Sequence, residues 1–235
     1  MIAAFVKIPK GNERDQATLA IVAVSAKLNN SEKRAEPVLV AIKDAPKLRV
    51  AELLPLLGRL GGTDALKVVR EALSGTDPLL HSAAVAAICN WPDATANEDL
   101  LGLAEKGSQG ISKIHAIQAL VRINATLVDR TAEEKLAALA TMKKAMELAT
   151  REEEKHAILE NVGFIRHIET LHFLLPYLDQ PAFAQSACKG IVELAHSKMV
   201  REPNKAEFDK VLDRVIAMCK DKGLVDRAKQ YKEGR

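Results

Sequence analysis

The amino-acid sequence predicts an all-α fold in which about six helical pairs stack as a right-handed α-α superhelix, the architecture called an α-solenoid. The first observation is an apolar helix end that recurs about every 32 residues, a spacing typical of paired-helix repeats. Each recurrence closes on a large apolar residue, in the order Leu28, Leu60, Trp91, Ile123, Ile165 and Leu194. The second observation is composition, since 48% of the residues are hydrophobic but only 3% are aromatic. A core of Ala, Leu, Val and Ile suits closely packed helices better than a sheet.

The first half of the chain divides into helices at residues that terminate helices. Four such sites separate apolar segments of helical periodicity, namely Asn29-Asn30, Pro46, Gly61-Gly62 and Pro92-Asp93. Thr63 is predicted to be an N-cap, and Asp77 is predicted to cap a helix whose first residue is Pro78. The predicted helices are 13–28, 31–43, 47–60, 63–73, 79–91 and 97–106.

The second half continues this pattern after a break at Gly107-Ser108-Gln109-Gly110. Thr131 and Glu134 have the spacing of a capping box, which predicts a longer helix that ends near Leu148. This helix and a loop over residues 125–130 account for the extra residues in the long interval between Ile123 and Ile165. The other predicted helices are 111–124, 151–166, 168–178, 181–198, 205–220 and 222–233. We therefore expect one solenoid over residues 1–235, with clear repeats in 13–124, an irregular longer repeat in 125–166 and C-terminal repeats in 167–235.

The N-terminal segment is apolar from its second residue but does not have the pattern of a signal peptide. It lacks a basic n-region and a small-residue cleavage site. It has instead the pattern of a helix end that stops at Pro9-Lys10-Gly11. Because natural solenoids normally begin with a polar capping repeat, we expect this chain to be a segment of a larger multidomain protein. The compartment is left open, and an extracytoplasmic parent protein is compatible with the sequence.

The charge, apolar runs and cysteines of the chain limit the kinds of partner and site that the sequence favours. The 34 basic and 31 acidic residues give a net charge of +3, without the clustered basic stripe that nucleic-acid binding favours. No apolar run reaches the length of a membrane span. Cys89, Cys188 and Cys219 are far apart in the sequence and form no CxxC motif. They are predicted to be buried thiols rather than disulfides or metal ligands.

Residues 48–73 resemble the HEAT repeat, in the HEAT-like form (HEAT and PBS-lyase HEAT-like) of many bacterial proteins. The positions that carry the resemblance are Arg49, Ala51, Leu57, Gly58, Leu60 and Leu66. The next unit contains Asn90-Trp91-Pro92-Asp93 and Glu98-Asp99-Leu100-Leu101. It looks like a variant found in large bacterial proteins that also carry haem-binding or sugar-active domains. The resemblance implies a solenoid that binds a protein partner or a neighbouring domain. It carries over no catalytic residue, because HEAT positions are packing positions.

The helices sort into two series that we expect to form two layers. The inner series carries the recurring small residues and comprises 47–60, 79–91, 111–124, 151–166 and 181–198. The outer series is shorter and centred on leucine. The small residues Ala87, Ala119 and Gly190 are expected to let neighbouring pairs stack closely.

Certain positions of the inner series share a face that points away from the core. In a HEAT array the second helix of each pair lines the concave side. The candidate concave-face residues are Glu52, Arg59, Asn90, His115, Gln118, Arg122, His156, Glu160, Lys189 and Glu193, with Pro55, Ala86 and Gln185 on the same face. We expect a mixed-charge groove centred on Arg59, Asn90, Gln118 and Arg122. The alternative is a solvated helix face without a partner.

No motif in the chain predicts a catalytic residue, a cofactor or a metal. The sequence contains no Gly-rich phosphate loop between strand and helix and no GxSxG, HExxH or CxxCH motif. His81, His115 and His156 fall on different helical faces, and His167 and His172 straddle a helix junction. Structural or solvated histidines are therefore favoured over a metal site, which needs three or four convergent ligands. Trp91 is predicted to be a core residue rather than a stacking platform.

The sequence favours a non-catalytic scaffold or protein-interaction module that binds along its concave face. One alternative is a HEAT-like enzyme or nucleic-acid binder that resembles the alkylpurine DNA glycosylases. That function needs a basic face with aromatic residues, whereas Glu52, Glu160 and Glu193 interrupt the cations here. A resemblance to phycobilin lyases brings no distinctive site. A further alternative is an inert spacer between domains.

Overall fold

The chain folds into helices joined by short turns, and the computed structural model describes residues 2–9, 11–28, 30–106, 110–126 and 129–234. These described residues contain no strand, and the all-α prediction is confirmed. The α-helices are α1 (Ile2–Phe5), α2 (Asn12–Ala26), α3 (Ser31–Lys43), α4 (Lys47–Leu60), α5 (Thr63–Ser74), α6 (Pro78–Cys89), α7 (Asn97–Lys106), α8 (Ile111–Asn124), α9 (Ala132–Leu148), α10 (Glu152–Val162), α11 (Ile168–Leu174), α12 (Ala184–Ala195), α13 (Lys198–Arg201), α14 (Lys205–Met218) and α15 (Lys222–Lys232). Short 3-10 helices cover Ala94–Ala96, Leu175–Asp179 and Glu202–Asn204.

The helices gather into two compact units, Met1–Leu100 and Leu101–Arg235. Within the first unit, α4 packs on α6 and α3 packs on α5. Within the second, α8 packs on α10, α10 packs on α12, and α9 packs on α11. Inner-series helices therefore contact inner-series helices, and outer helices contact outer helices, inside each unit. None of the helices in the described ranges is long and apolar enough to cross a membrane.

Five of the six recurring apolar residues are core residues. Their exposed fractions are 3% for Leu60, 0% for Trp91, 2% for Ile123, 2% for Ile165 and 0% for Leu194. Burial of Trp91 confirms its predicted place in the core. Leu28 is wrong as a core position, because 44% of it is exposed. The helix α2 ends at Ala26, before Leu28. Trp91 and Ile165 also lie beyond the ends of α6 and α10 and are buried, so the position of the helix end does not explain the exposure of Leu28.

Glycines allow the inner-series helices to approach one another closely. A Cβ atom on Gly58 of α4 would lie 2.2 Å from the carbonyl oxygen of Ala87 in α6. A Cβ atom on Gly190 of α12 would lie 2.2 Å from the carbonyl oxygen of Leu159 in α10. Only a hydrogen atom fits at either position, since carbon and oxygen atoms make contact at about 3.5 Å. The predicted close stacking at Ala87 and Gly190 is confirmed. For Ala119 it stays a prediction.

Several predicted helix ends agree with the structure, because local side chains determine them. Asp77 accepts hydrogen bonds from the backbone N–H groups of Leu79 and Leu80, ahead of Pro78 at the start of α6. Thr131 and Glu134 form the predicted capping box of α9. The predicted breaks at Asn29 and at 107–109, and part of the loop at 127–128, lie outside the described residues.

Other predicted ends are wrong because contacts elsewhere in the fold replace the local signal. Thr63 is the first residue of α5 rather than its cap, and Gly62 precedes it. The carboxylate of Glu32 in α3 accepts hydrogen bonds from the N–H groups of Thr63 and Asp64. The bond from the Thr63 N–H, with a further contribution from Asp64, holds the pKa of the Glu32 carboxyl below its ordinary value against the opposing effect of burial. A glutamate from the neighbouring helical pair therefore caps α5.

Three helices in the second unit are much shorter than predicted, and the predicted helices 205–220 and 222–233 end slightly early, at Met218 and Lys232. The helix α10 ends at Val162 instead of residue 166, where turn bonds from Phe164 and Ile165 replace the helical ones. The predicted helix 168–178 becomes α11 followed by a 3-10 helix, because Pro176 lacks the N–H group that a continuing α-helix needs. The predicted helix 181–198 is shortened to α12 at both ends. Residues 180–183 form a turn before it, and Ser197 is the N-cap residue that precedes the separate helix α13.

The cysteines agree in part with the prediction of buried thiols. Cys188 is buried, and Cys89 and Cys219 are half-buried. Burial and the neighbouring Cys219 raise the pKa of Cys188 to about 12. The side chain of Gln185 brings the two cysteines together, because it bonds the backbone of Met218 and Lys220 on either side of Cys219.

Candidate functional site

In the first unit, the candidate residues on α4 belong to a polar cluster with α2. Glu52 is paired with Arg14 of α2 at 3.6 Å and with Arg49 at 3.0 Å. Arg49 also donates to the carbonyl oxygen of Val6. Arg59 is exposed and lines a cavity of about 230 Å³ together with Glu52. Glu52 therefore joins the first helices to α4, while Arg59 is available at the surface.

Asn90 has a local structural role. It is the C-cap of α6, and its amide donates to the carbonyl oxygen of Ala86 at 2.8 Å. Its side chain ends α6 in the way that a capping residue does. The predicted grouping of Arg59 and Asn90 with Gln118 and Arg122 involves both units and stays a prediction.

In the second unit, three candidate residues share the exposed side of α8. His115, Gln118 and Arg122 are exposed, whereas Ala116 and Leu120 on the opposite side are buried. The spacings of three and four residues place the three polar side chains on one helical face. His115, Gln118 and Arg122 therefore share the exposed side of α8, and the role of that side as a concave binding face stays a prediction.

The candidate residues of α10 and α12 form a hydrogen-bonded chain between the two helices. Ser186 donates to Oε1 of Glu160 at 3.0 Å, and Lys189 donates to Oε2 of the same carboxylate at 2.6 Å. His156 Nδ1 lies 2.9 Å from the Ser186 hydroxyl oxygen. Since the single hydroxyl hydrogen is directed at Glu160, His156 donates from Nδ1. We call His156, Glu160, Ser186 and Lys189 the α10–α12 network.

Electrostatics stabilise the charged form of Glu160. Burial would raise the pKa of this carboxyl, but the hydrogen bonds from Lys189 and Ser186 outweigh burial and keep the pKa below its ordinary value. The carboxylate and the ammonium group therefore coexist as an ion pair on the surface of two packed helices. The two charges compensate each other locally, so the network is polar without a strong net charge.

Glu193 of α12 lies between two arginines that the sequence analysis did not assign to the site. Arg166 contacts Oε1 at 3.0 Å, and Arg227 of α15 contacts Oε2 at 3.1 Å. Arg166 also donates to the carbonyl oxygen of Glu193. Burial would raise the pKa of Glu193, but the bonds from both arginines lower it below the ordinary value. No local sequence signal finds this cluster, because its members are far apart in the chain.

The Glu193→Gln variant is expected to be less stable at pH 7 by about 1–2 kcal/mol. The reason is that the hydrogen bonds from Arg166 and Arg227 lose their charged acceptor. A carboxyl whose pKa is lowered in the fold stabilises the protein above its unfolded pKa, and this stability is lost as the pH falls through the folded pKa. The difference between the variant and the wild type should therefore shrink below about pH 4. Urea denaturation at pH 7 and at acidic pH measures it.

The matched control is Glu36→Gln, since Glu36 is exposed on α3 and makes no ion pair with any described residue. This control should stay within about 0.5 kcal/mol of the wild type at both pH values. A cost of Glu193→Gln that did not depend on pH would contradict the assigned role of the charge.

A cavity of about 340 Å³ in the second unit was not predicted. It is lined by Lys143, Met146, Glu147, Lys155, Phe173, Tyr177, Gln180 and Phe183, which we call the aromatic–lysine pocket. The chain has one tryptophan, two tyrosines and five phenylalanines, and three of these rings line this pocket. The close spacing of Phe173, Tyr177 and Phe183 in an aromatic-poor sequence is the signal that could have found it.

The remaining histidines are dispersed, and His196 Nδ1 lies 2.9 Å from the hydroxyl oxygen of Tyr231. His81 Nδ1 lies 2.8 Å from the carbonyl oxygen of Leu73, and His167 accepts from the N–H of Glu169 as the cap of α11. His172 is exposed between Glu169 and Glu207. Over the part of the chain that is described, no group of three or more His, Cys, Asp or Glu side chains is placed to hold a metal ion.

Comparison with known proteins finds no family model that matches this chain and no curated protein that matches it.

Proposed function

We propose that this chain is a HEAT-like α-solenoid and serves as a non-catalytic protein-interaction module. Its partner is a protein or a neighbouring domain of the same polypeptide. The binding surface in this proposal is the polar face of α8, α10 and α12. One observation carries the proposal: consecutive inner-series helices pack so closely at Gly190 and Leu159 that polar side chains of adjacent helices bond directly to each other.

This close packing supports a broad polar surface rather than isolated polar residues. Lys189 of α12 reaches Glu160 of α10, and α10 packs in turn on α8 with its exposed His115, Gln118 and Arg122. The side chains of the α10–α12 network are held in place by mutual hydrogen bonds. Because these side chains are already ordered, they lose little conformational entropy when a partner binds. This preorganisation favours binding at the polar face.

The charges of this surface favour a protein partner over a nucleic acid. Glu160 and Glu193 lie among the cations, and each is ion-paired. A duplex nucleic acid would require a stripe of cations that release counterions on binding. Alternating charges instead suit a protein surface with complementary alternating charges.

Site-specific photocrosslinking tests the proposal. A photoreactive amino acid at Gln118, on the exposed face of α8, is expected to capture one discrete protein in cells of the source organism. The matched control is the same amino acid at Lys144, which is exposed on α9 outside the proposed surface. Purified partner should then bind the isolated chain with a measurable dissociation constant.

Two outcomes would contradict the proposal. The first is the same set of products from both positions, or none from either, as an inert spacer would give. The second is salt-dependent binding of duplex DNA to the purified chain, which would instead support the glycosylase-like alternative.

A further inference from the structure

The aromatic–lysine pocket combines half-buried rings with cations. The rings of Phe173 and Tyr177 lie 5.5 Å apart edge to face, and those of Tyr177 and Phe183 lie 6.3 Å apart edge to face. These rings pack against each other in the arrangement that aromatic groups prefer, with centroids 4.5–7 Å apart. All three are half-buried and line the same cavity. The cavity therefore has fixed apolar walls that a further planar group can contact.

Two lysines lie at these rings. Lys143 Nζ lies 6.0 Å from the centroid of Phe173, and Lys155 Nζ lies 5.9 Å from the centroid of Phe183. Neither ammonium group is within ion-pair distance of a carboxylate among the described residues. Many other cations of the chain do have such partners, as Lys189 and Arg166 do. The pocket therefore holds cations whose charge is not locally compensated by a direct contact.

The charge of the lining determines what kind of ligand fits. Lys143 and Lys155 contribute two positive charges and Glu147 contributes one negative charge. A cationic ligand is disfavoured, because lysines already occupy positions near the ring faces. A dianion would be repelled by Glu147. The lining complements a single negative charge attached to an apolar body.

A hydrogen-bond donor is also present. Burial and the nearby Glu147 raise the pKa of Tyr177, so its hydroxyl stays protonated at neutral pH. No described residue accepts a hydrogen bond from that hydroxyl. It can therefore donate to an anionic oxygen in the pocket, as the lysines can.

We propose that the aromatic–lysine pocket is a binding site for an aromatic carboxylate, with the ring against Phe173, Tyr177 and Phe183 and the carboxylate near Lys143 and Lys155. The cavity volume of about 340 Å³ is at the lower end of the range for ligand pockets. This chemistry has two sources, a free aromatic acid and the C-terminal aromatic residue of a peptide. The pocket borders the α10–α12 network, since the rings of Phe183 and His156 lie 5.3 Å apart. The inference does not rest on the interaction function proposed above, because it is argued only from the side chains that line the pocket.

Calorimetric titration of the full chain tests the site with probes that share one ring. Indole-3-propionate is expected to bind, its neutral amide about tenfold more weakly, and the cation tryptamine not measurably. Acetyl-Gly-Gly-Phe with a free C-terminus, compared with its C-terminal amide, tests the peptide source. If only indole-3-propionate binds, the ligand is a free aromatic acid, and if only the peptide acid binds, the ligand is a peptide C-terminus. If both bind, the pocket recognises the aromatic carboxylate that the two share.

Charge-neutralising variants locate the site. Lys143→Gln and Lys155→Gln are each expected to weaken binding of the acid about threefold, and together about tenfold, with a smaller effect at high salt. The matched control is Lys144→Gln on the same helix, which changes charge equally outside the pocket and should leave binding unchanged. Tyr177→Phe removes only the hydroxyl and should weaken binding by a similar factor.

The proposal is overturned if neither acid binds, if acid and amide bind equally, or if Lys144→Gln has the same effect as Lys143→Gln. Circular dichroism of each variant distinguishes lost binding from lost fold. Photocrosslinking at Gln118 does not depend on this pocket. Failure of the pocket proposal would therefore leave that result intact, and failure of crosslinking would leave this titration intact.

Discussion

The Gly190→Ala variant is expected to lower the free energy of unfolding by about 2–3 kcal/mol. The added Cβ would lie 2.2 Å from the Leu159 carbonyl oxygen and 3.1 Å from a methyl carbon of Leu174. The Leu174 methyl group is the end of a buried side chain, whereas the Leu159 carbonyl oxygen belongs to the backbone of α10 and cannot move without the helix. The helices α10 and α12 must therefore separate, which weakens the contacts along both. Chemical denaturation followed by circular dichroism measures the loss.

Gly102→Ala is the matched control for that prediction. Gly102 lies within α7, and a Cβ atom there would meet nothing within 4 Å. Alanine is the better helix former, so this variant should be more stable than the wild type by about 0.5–1 kcal/mol. The same glycine-to-alanine change is therefore expected to lower the free energy of unfolding at Gly190 and to raise it at Gly102. Equal effects would contradict a close helix contact at Gly190.

The Trp91→Ala variant is expected to cost about 3–5 kcal/mol, the largest effect of any single substitution considered. Trp91 is fully buried in the first unit, and its indole N–H donates to the Thr95 hydroxyl at 2.9 Å. Truncation leaves a large cavity and removes that bond. The expected result is a large loss of unfolding free energy in the same denaturation experiment.

Trp91→Phe separates packing from hydrogen bonding at this position. Phenylalanine keeps most of the apolar contact but has no N–H group, so the cost should be clearly smaller than that of alanine, about 1–2 kcal/mol. If Trp91→Ala were as stable as the wild type, Trp91 would not be the core residue that its burial indicates.

Local sequence patterns predicted the helices well because helix periodicity and caps are local properties. The bounds of α4 and α8 follow from apolar spacing and flanking breakers, and the structure gives the same residues. Asp77 and Thr131 likewise act on their own helices. The recurring apolar residues from Leu60 onward were predictable as core residues from their spacing, although Trp91 and Ile165 lie just beyond the ends of α6 and α10.

Contacts between distant residues account for what the sequence did not predict. Glu32 caps α5 from a helix in the preceding pair, and nothing near Thr63 indicates it. Glu193 of α12 pairs with Arg227 of α15 and with Arg166 of the turn after α10 only when these segments have packed together. The common exposed side of His115, Gln118 and Arg122 on α8 was predictable from helical spacing, whereas the concave face as a whole stays a prediction. The hydrogen bonds that join α10 to α12 depend on the tertiary distance between the helices, and no local pattern gives that distance.

The most direct test of the proposed interaction function is the dissociation constant of the photocrosslinked partner for a charge-swapped chain. The double variant Glu160→Lys with Lys189→Glu keeps an ion pair between α10 and α12 but reverses its direction on the surface. If this surface binds the partner, the dissociation constant should rise about tenfold while the free energy of unfolding changes little. An unchanged dissociation constant would show that the ion pair serves only the packing of the helices and would contradict the proposed binding surface.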